Sequence, residues 1–304
     1  MDNTVSIIFT QIIIMFFLIC AGQVAVRLKL VSGDTPRQMS SLLVYFVVPV
    51  VMVVAFQTDY DPDSAMNLLY GILIGVAVHL LAIGISQLVF RKGTERNRIL
   101  RYGVVYSNCG FMCLPLLSAA LGQTGVFLGS AYIVSLNIFV WIHGVYMISG
   151  DRSRISVRKA LLSPGVIGAV CALALYLLKL RLPPIAIEGL THLANLNTPV
   201  AMLIIGMQLD FSTLGGLLKT PAILRAIAVR LLVMPLIVMT AIYFLPVAHE
   251  LKLTVLIQSA APVAANTTLF ATMFRKDHAL ASGYVTLSTL LALATMPLVI
   301  LLFE

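Results

Sequence analysis

The chain has 304 residues, of which 60% are hydrophobic and only 11% charged, and its mean hydropathy is +1.01. A soluble domain carries roughly twice that share of charge, so a soluble fold is excluded in favour of a polytopic membrane protein. The net charge of +8 is gathered in short connections, which makes it a topology signal rather than a surface for nucleic acid.

In chain order, apolar runs long enough to cross ~30 Å of hydrocarbon as helix predict ten spans, at about 4–29, 37–57, 66–90, 98–120, 124–149, 162–180, 185–209, 220–246, 250–273 and 278–303. The first run is too long for the core of a signal peptide and has no small-residue cleavage site after it, so it is expected to be a permanent span. Short connections leave no room for an inserted soluble domain. Cys20, Cys109, Cys113 and Cys171 all fall within spans and are expected to be small apolar core residues.

Basic residues orient the spans. Arg27, Lys29 and Arg37 follow span one, and Arg91, Lys92, Arg96, Arg98 and Arg101 follow span three. Arg152, Arg154, Arg158 and Lys159 follow span five, Lys219 and Arg225 follow span seven, and Arg275 and Lys276 follow span nine. These make 16 of the 20 Lys and Arg residues. The opposite side carries Lys179, Arg181 and Lys252, with Asp59, Asp61 and Asp63 after span two. Both termini are therefore expected on the non-cytoplasmic face of a cell (inner) membrane.

The two halves, 1–150 and 151–304, repeat each other. Cys20-Ala21 returns as Cys171-Ala172, and Leu28-Lys29-Leu30 as Leu178-Lys179-Leu180. "VPVVMVVAFQTD" (48–59) answers "TPVAMLIIGMQLD" (198–210), "AVHLL" (77–81) answers "AVRLL" (228–232), and "SAYIVS" (130–135) answers "SGYVTL" (282–287). Five spans per half is an odd number, so the second copy is expected upside down. Inverted repeats recur in secondary transporters, where the halves exchange conformations and open one site to either side.

Span four contains "NCGFMCLP" (108–115) and its partner, span nine, contains "SAAPVAAN" (259–266). Asn108, Gly110 and Pro115, and then Pro262, Ala265 and Asn266, predict breaks at matching depth. Non-helical backbone survives at that depth only where it is buried in protein or lines a cavity. A proline suits the first turn of a second half-helix, whose free N–H groups and positive dipole end favour an anion. The bland alternative is a pair of proline kinks satisfied by neighbouring helices.

The sequence resembles the auxin efflux carrier family, which includes bacterial malonate carriers. The motifs that carry the resemblance are "NCGFMCLPLL" in span four, "SPGVIGAV" in span six, "PVAMLIIGMQLD" in span seven and "AAPVAANTTLFA" in span nine. It covers essentially the whole chain. Only residues 150–161 join the halves, so the short prokaryotic form is the closer likeness. The resemblance implies an all-α membrane fold with crossing broken helices four and nine, similar to sodium/proton antiporters and bile-acid symporters. It further implies a scaffold of spans 1, 2, 6 and 7, a homodimer formed through that scaffold, and a transport domain of spans 3–5 and 8–10. Asn108 and Pro115 would face a substrate carboxylate, with Pro262 and Asn266 opposite, and Asn137 of span five matches a polar family position near the site. Ser163 precedes Pro164 where many relatives have Asn.

His79, midway along span three, and Arg230, at the matching place in span eight, are the ionisable residues deep in the spans, and such groups mark pathways or find partners. His79 could couple protons or sit neutral against a carbonyl. Arg230 could attract an anion, bind the carbonyl end of a broken helix or reach for one interface. Asp59, Asp210, Glu188 and Glu250 lie near span ends, so a proton antiporter built on buried carboxylates is not expected. A sodium site would need carbonyls, hydroxyls and amides such as Ser107, Gln258, Ser259 and Thr267. No metal or cofactor motif and no catalytic constellation is present. The expected function is a secondary transporter of a small organic, malonate-like anion, with Na+ or H+ as the candidate coupling ion. The alternatives are a cation-coupled symporter of larger amphipathic acids and an anion channel.

Overall fold

Proline sets many of the helix starts. Pro36, Pro62, Pro164, Pro184 and Pro221 stand in the first turns of their helices, where a missing N–H costs nothing and the ring presets a helical φ. Side-chain caps complete other ends: Asp61 accepts from Ser64 N at 2.8 Å, Thr94 Oγ1 from Asn97 N at 3.3 Å and Asp277 from Leu280 N at 2.9 Å. The bonds from Ser64 hold the exposed Asp61 carboxyl below its ordinary pKa.

The computed structural model describes residues 2–91, 93–212 and 214–304; Lys92, one of the basic residues counted above, lies outside the described residues. The principal helices are α1 (Asp2–Arg27), α2 (Thr35–Ala55), α3 (Pro62–Val89) and α4 (Glu95–Val105). The helical stretch Cys109–Ser149 turns at Gly122, with φ 61° and ψ −143°, and divides there into α5 (109–121) and α6 (123–149). Then come α7 (Pro164–Leu177), α8 (Pro184–Gln208), α9 (Pro221–Tyr243), α10 (His249–Ala260), α11 (Asn266–Met273) and α12 (His278–Phe303). Among the described residues there is no β-strand, and the protein is an all-helical membrane protein.

Seven helical stretches among the described residues are long and apolar enough to cross a membrane, against the ten expected. Runs 98–120 and 250–273 are each cut in two, and 162–180 folds as a helix of only 14 residues. Such a helix is roughly 21 Å long. The hairpin at Gly122 separates the expected spans 98–120 and 124–149 with no break in the apolar run: Gly125 lies against Leu117 O, 2.5 Å from where a Cβ would stand, and a straight helix would carry those residues roughly 12 Å apart.

Three π-turns share one cause. Leu43–Val47, Cys109–Cys113 and Val229–Val233 are each followed, after one residue, by Pro49, Pro115 or Pro235. The proline cannot donate to the carbonyl four residues earlier and its ring crowds that carbonyl, so the turn widens to clear the clash. The sequence signals the proline but not the π-turn before it.

The helices approach most closely where glycine allows it. α1 packs along the 197–208 part of α8, with Gly22 against Leu203 O and Gly206 against Ile19 O. The 48–55 part of α2 packs on α7, where a Cβ on Gly168 would stand 2.8 Å from Pro49 Cα. Hydrocarbon solvates apolar side chains as well as protein does, so such small-residue contacts carry much of the association. α1 and α7 also end alike: Lys29 and Lys179 both take φ 56°, with Leu30 N donating to Ala25 O at 3.0 Å and Leu180 N to Leu175 O at 2.9 Å.

Two glycine substitutions separate conformational from steric cost. Gly122→Ala, with open space around it, is expected to lose about 1–3 kcal/mol from backbone strain alone, since φ 61° with ψ −143° lies where essentially only glycine goes. Gly206→Ala is expected to lose more, because its methyl meets the backbone of α1; denaturation of the detergent-purified variants gives the order.

Candidate functional site

The two interrupted helices meet at their interruptions. Residues 106–108 join α4 to α5 and residues 261–265 join α10 to α11. The segments pair antiparallel at Ser107 and Val263, with Asn108 N donating to Pro262 O at 2.9 Å and Ala264 N to Tyr106 O at 3.0 Å. Each interruption thus satisfies the backbone groups that the other leaves orphaned, as an apolar surround demands. Ser288 Oγ adds a third tie by accepting from Val263 N at 3.2 Å.

Arg230, aimed by the π-turn of α9, is 1% exposed. Its Nε donates to Ala261 O at 2.9 Å, one terminal nitrogen to Ser259 O at 2.7 Å and the other to Val104 O at 3.2 Å. These carbonyls belong to the C-terminal ends of α4 and α10, where the last turn has no intrahelical donor and the helix dipole is negative. Of the readings open from sequence, the guanidinium has taken the carbonyl ends, and it holds both.

With both negative ends engaged by one cation, the other two ends are the N-termini of α5 and α11. Asn108 precedes α5 with φ −80° and ψ 47° and is 6% exposed. Its side-chain amide makes no hydrogen bond to another described residue, and Asn108 lines a small cavity of about 10 Å³, the room of a single water. Ala265, Ile205, Gln208, Leu209, Val285 and Thr289 complete the lining. The buried Thr289 hydroxyl has no partner. The cavity therefore lies between α8 on one side and the two interruptions with α12 on the other.

The remaining expected residues fall in distinct places. Gly110 sits in the π-turn with nothing within 4 Å of where a Cβ would stand, and Pro115 is buried one turn further on. Pro262 is buried and contributes its carbonyl to the pairing, while Asn266 opens α11 exposed. Asn137 donates from Nδ2 to Ile133 O at 2.9 Å and closes on Gly165 at the start of α7, away from the cavity lining. Ser163, beside it, has a buried hydroxyl without a partner.

His79 is 1% exposed, and its Nδ1 lies 2.6 Å from Gly75 O. A carbonyl accepts only, so Nδ1 carries a proton, and Nε2 is buried without a partner. The ring stacks on Phe139 at 5.2 Å and lies 5.1 Å from Tyr132 and 6.2 Å from Tyr106. Tyr106 in turn donates to Phe139 O at 3.0 Å and faces His143 Nδ1 at 2.8 Å. His79 is held by aromatic packing and one local bond.

Two polar cavity residues were missed in the sequence, besides the apolar Ile205, Leu209 and Val285. Gln208 sits in the quoted "GMQLD" motif, where its match to Gln57 was the available signal; Thr289, in "LSTLL", had none, since a hydroxyl in a span usually bonds its own helix. A larger dent of about 280 Å³ lies elsewhere, bordered by Arg96 and Asp277.

Asn108→Pro tests the pairing. The native φ suits a proline ring, so the change removes chiefly the N–H and is expected to cost about 1–3 kcal/mol by orphaning Pro262 O. Asn108→Ala keeps that bond and is expected to stay near wild-type stability in thermal unfolding.

Among known proteins, a family model described as a membrane transport protein matches residues 7–300. No curated protein matches the chain.

Proposed function

Because the chain belongs to the membrane transport protein family, the auxin efflux carriers, we propose that it is a secondary transporter that moves a small organic carboxylate by alternating access. The observation that carries this reading is the pairing of the two interruptions, with Asn108, its amide unpaired, lining the cavity beside them. Arg230 occupies the negative ends of α4 and α10, so the positive ends of α5 and α11 stay without a protein counter-charge. An anion there gains helix-end N–H groups and the amides of Asn108 and Gln208. With no fixed basic residue in contact, release on the far side stays easy. The apolar remainder of the lining suits a monocarboxylate or small dicarboxylate of malonate type.

The membrane arrangement follows from the same reading. Ten spans in two inverted halves, 1–150 and 151–304, account for the alike ends of α1 and α7 and for paired breaks at matching places. Spans 1, 2, 6 and 7, tied by the glycine contacts of α1 with α8 and of α2 with α7, form a scaffold and a homodimer surface. Spans 3–5 and 8–10 form the moving part, and the cavity lies on the boundary between the two. The bias of basic residues toward the odd-numbered connections supports termini on the non-cytoplasmic side of a cell membrane. Asn137 and Asn266 would line the path in other states of the cycle, and His79 is the residue through which protons could be coupled.

Uptake of labelled malonate into proteoliposomes, with competing organic acids, tests the proposal. Wild type is expected to show saturable uptake, and Asn108→Ala a loss of roughly 10–100-fold in uptake efficiency, the worth of one hydrogen bond to a charged group. Uptake that does not saturate would favour a channel. Uptake indifferent to Asn108, or absent for every acid, would remove the site from the crossing.

A further inference from the structure

The surroundings of Arg230 are those of a bound metal cation rather than of a salt-bridged arginine. The ion pairs among the described residues involve Arg154, Arg181, His249 and Lys276, and no carboxylate accompanies Arg230. Its partners are three main-chain oxygens, Val104 O, Ser259 O and Ala261 O, converging from the C-terminal ends of two helices at 2.7–3.2 Å. Neutral oxygens at unwound helix ends are the ligands that hard monovalent cations take. The neutral side chains around the interruptions donate their protons to other carbonyls. Ser259 Oγ donates to Leu256 O at 2.9 Å, Thr267 Oγ1 to Ala264 O at 2.7 Å, and Gln258 Nε2 to Gly129 O at 3.0 Å. Gln258 Oε1 is left buried without a partner.

We propose that Arg230 is a tethered cation filling a carbonyl-lined monovalent cation site at the paired interruptions, so that this place holds no free coupling ion. The positive charge that steadies the two helix ends is carried on α9 and moves with the protein. Removing the side chain uncovers the oxygens and turns the place into a site for a free cation, sodium or guanidinium, whose occupancy restores the pairing. This deepens the transport reading by addressing its coupling, but the structural test needs no substrate and fails separately from the uptake assay.

The measurement is thermal unfolding of the purified full chain in lipid and detergent, titrated with sodium, lithium, potassium or guanidinium chloride at constant ionic strength made up with choline. Wild type is expected to respond to none of them beyond choline. Arg230→Ala is expected to melt roughly 5–10 °C lower in choline and to regain several degrees, saturably, with at least one small cation. Arg230→Lys, whose ammonium still fills the place, is expected to melt between the two and to show no cation response. Four results would overturn the proposal. They are a saturable sodium response in wild type, an Arg230→Ala chain as stable as wild type in choline, an Arg230→Ala chain that no cation stabilises, or an Arg230→Lys chain that responds as Arg230→Ala does. An Arg230→Ala chain recovered in none of these salts counts as the third result. In proteoliposomes, the same logic expects wild-type uptake to be unchanged when choline replaces sodium.

Discussion

One buried guanidinium holds the centre of this protein together. Taking a charge out of water into a membrane interior is costly, and the cost is offset only where hydrogen bonds and opposing charge meet it. Arg230 finds both without an acid, because two helices end beside it with their carbonyls and negative dipole ends exposed. The dependence runs both ways. Without the interruptions the arginine would have no partners, and without the arginine the carbonyl ends of α4 and α10 would face each other with like partial charge.

From that constraint the rest of the site follows. Segments 106–108 and 261–265 can leave the helix because each supplies the backbone donors or acceptors the other lacks. Their restarts are prepared by sequence, with a π-turn relieving Pro115 and a local bond from Thr267 Oγ1 closing the first turn of α11. The result is a polar centre with its negative ends engaged and its positive ends open. On the proposed function, that asymmetry suits an anionic cargo with no fixed counter-charge on its path. α8 faces this centre across a cavity of about 10 Å³, too small for a carboxylate. A carrier with such a centre must separate α8 from the interruptions to admit one.

Much of the architecture was legible in the sequence, because the bilayer restricts what a chain can do. Long apolar runs, prolines in first turns and clustered basic residues mark helix edges with little ambiguity. Asn108 and Pro262 fall in the two segments where the backbone leaves the helix, whereas Gly110 and Pro115, expected in the break, lie inside α5. What the sequence could not carry is which groups meet across space. It left Arg230 with three alternatives, since a choice among substrate, carbonyl end and interface depends on how α9 lies against α4 and α10. It placed Asn137 beside the substrate by likeness alone, whereas the side chain closes on Gly165. Thr289 was silent because one hydroxyl in an apolar helix gives no periodic signal. The connection expected at 121–123 falls on Gly122, but its tightness was hidden: one residue of positive φ reverses the chain with no run of polar residues to mark it.

The central claim is that an organic anion sits where the two interruptions pair. Its most direct test is a structure of the protein with a bromine-labelled malonate, located by the anomalous scattering of the bromine. The account predicts a single strong peak beside the Asn108 amide, between the first turns of α5 and α11, with α8 moved outward to make room. A peak in contact with the Arg230 guanidinium, or in the dent bordered by Arg96 and Asp277 with the centre left as it is, would contradict it.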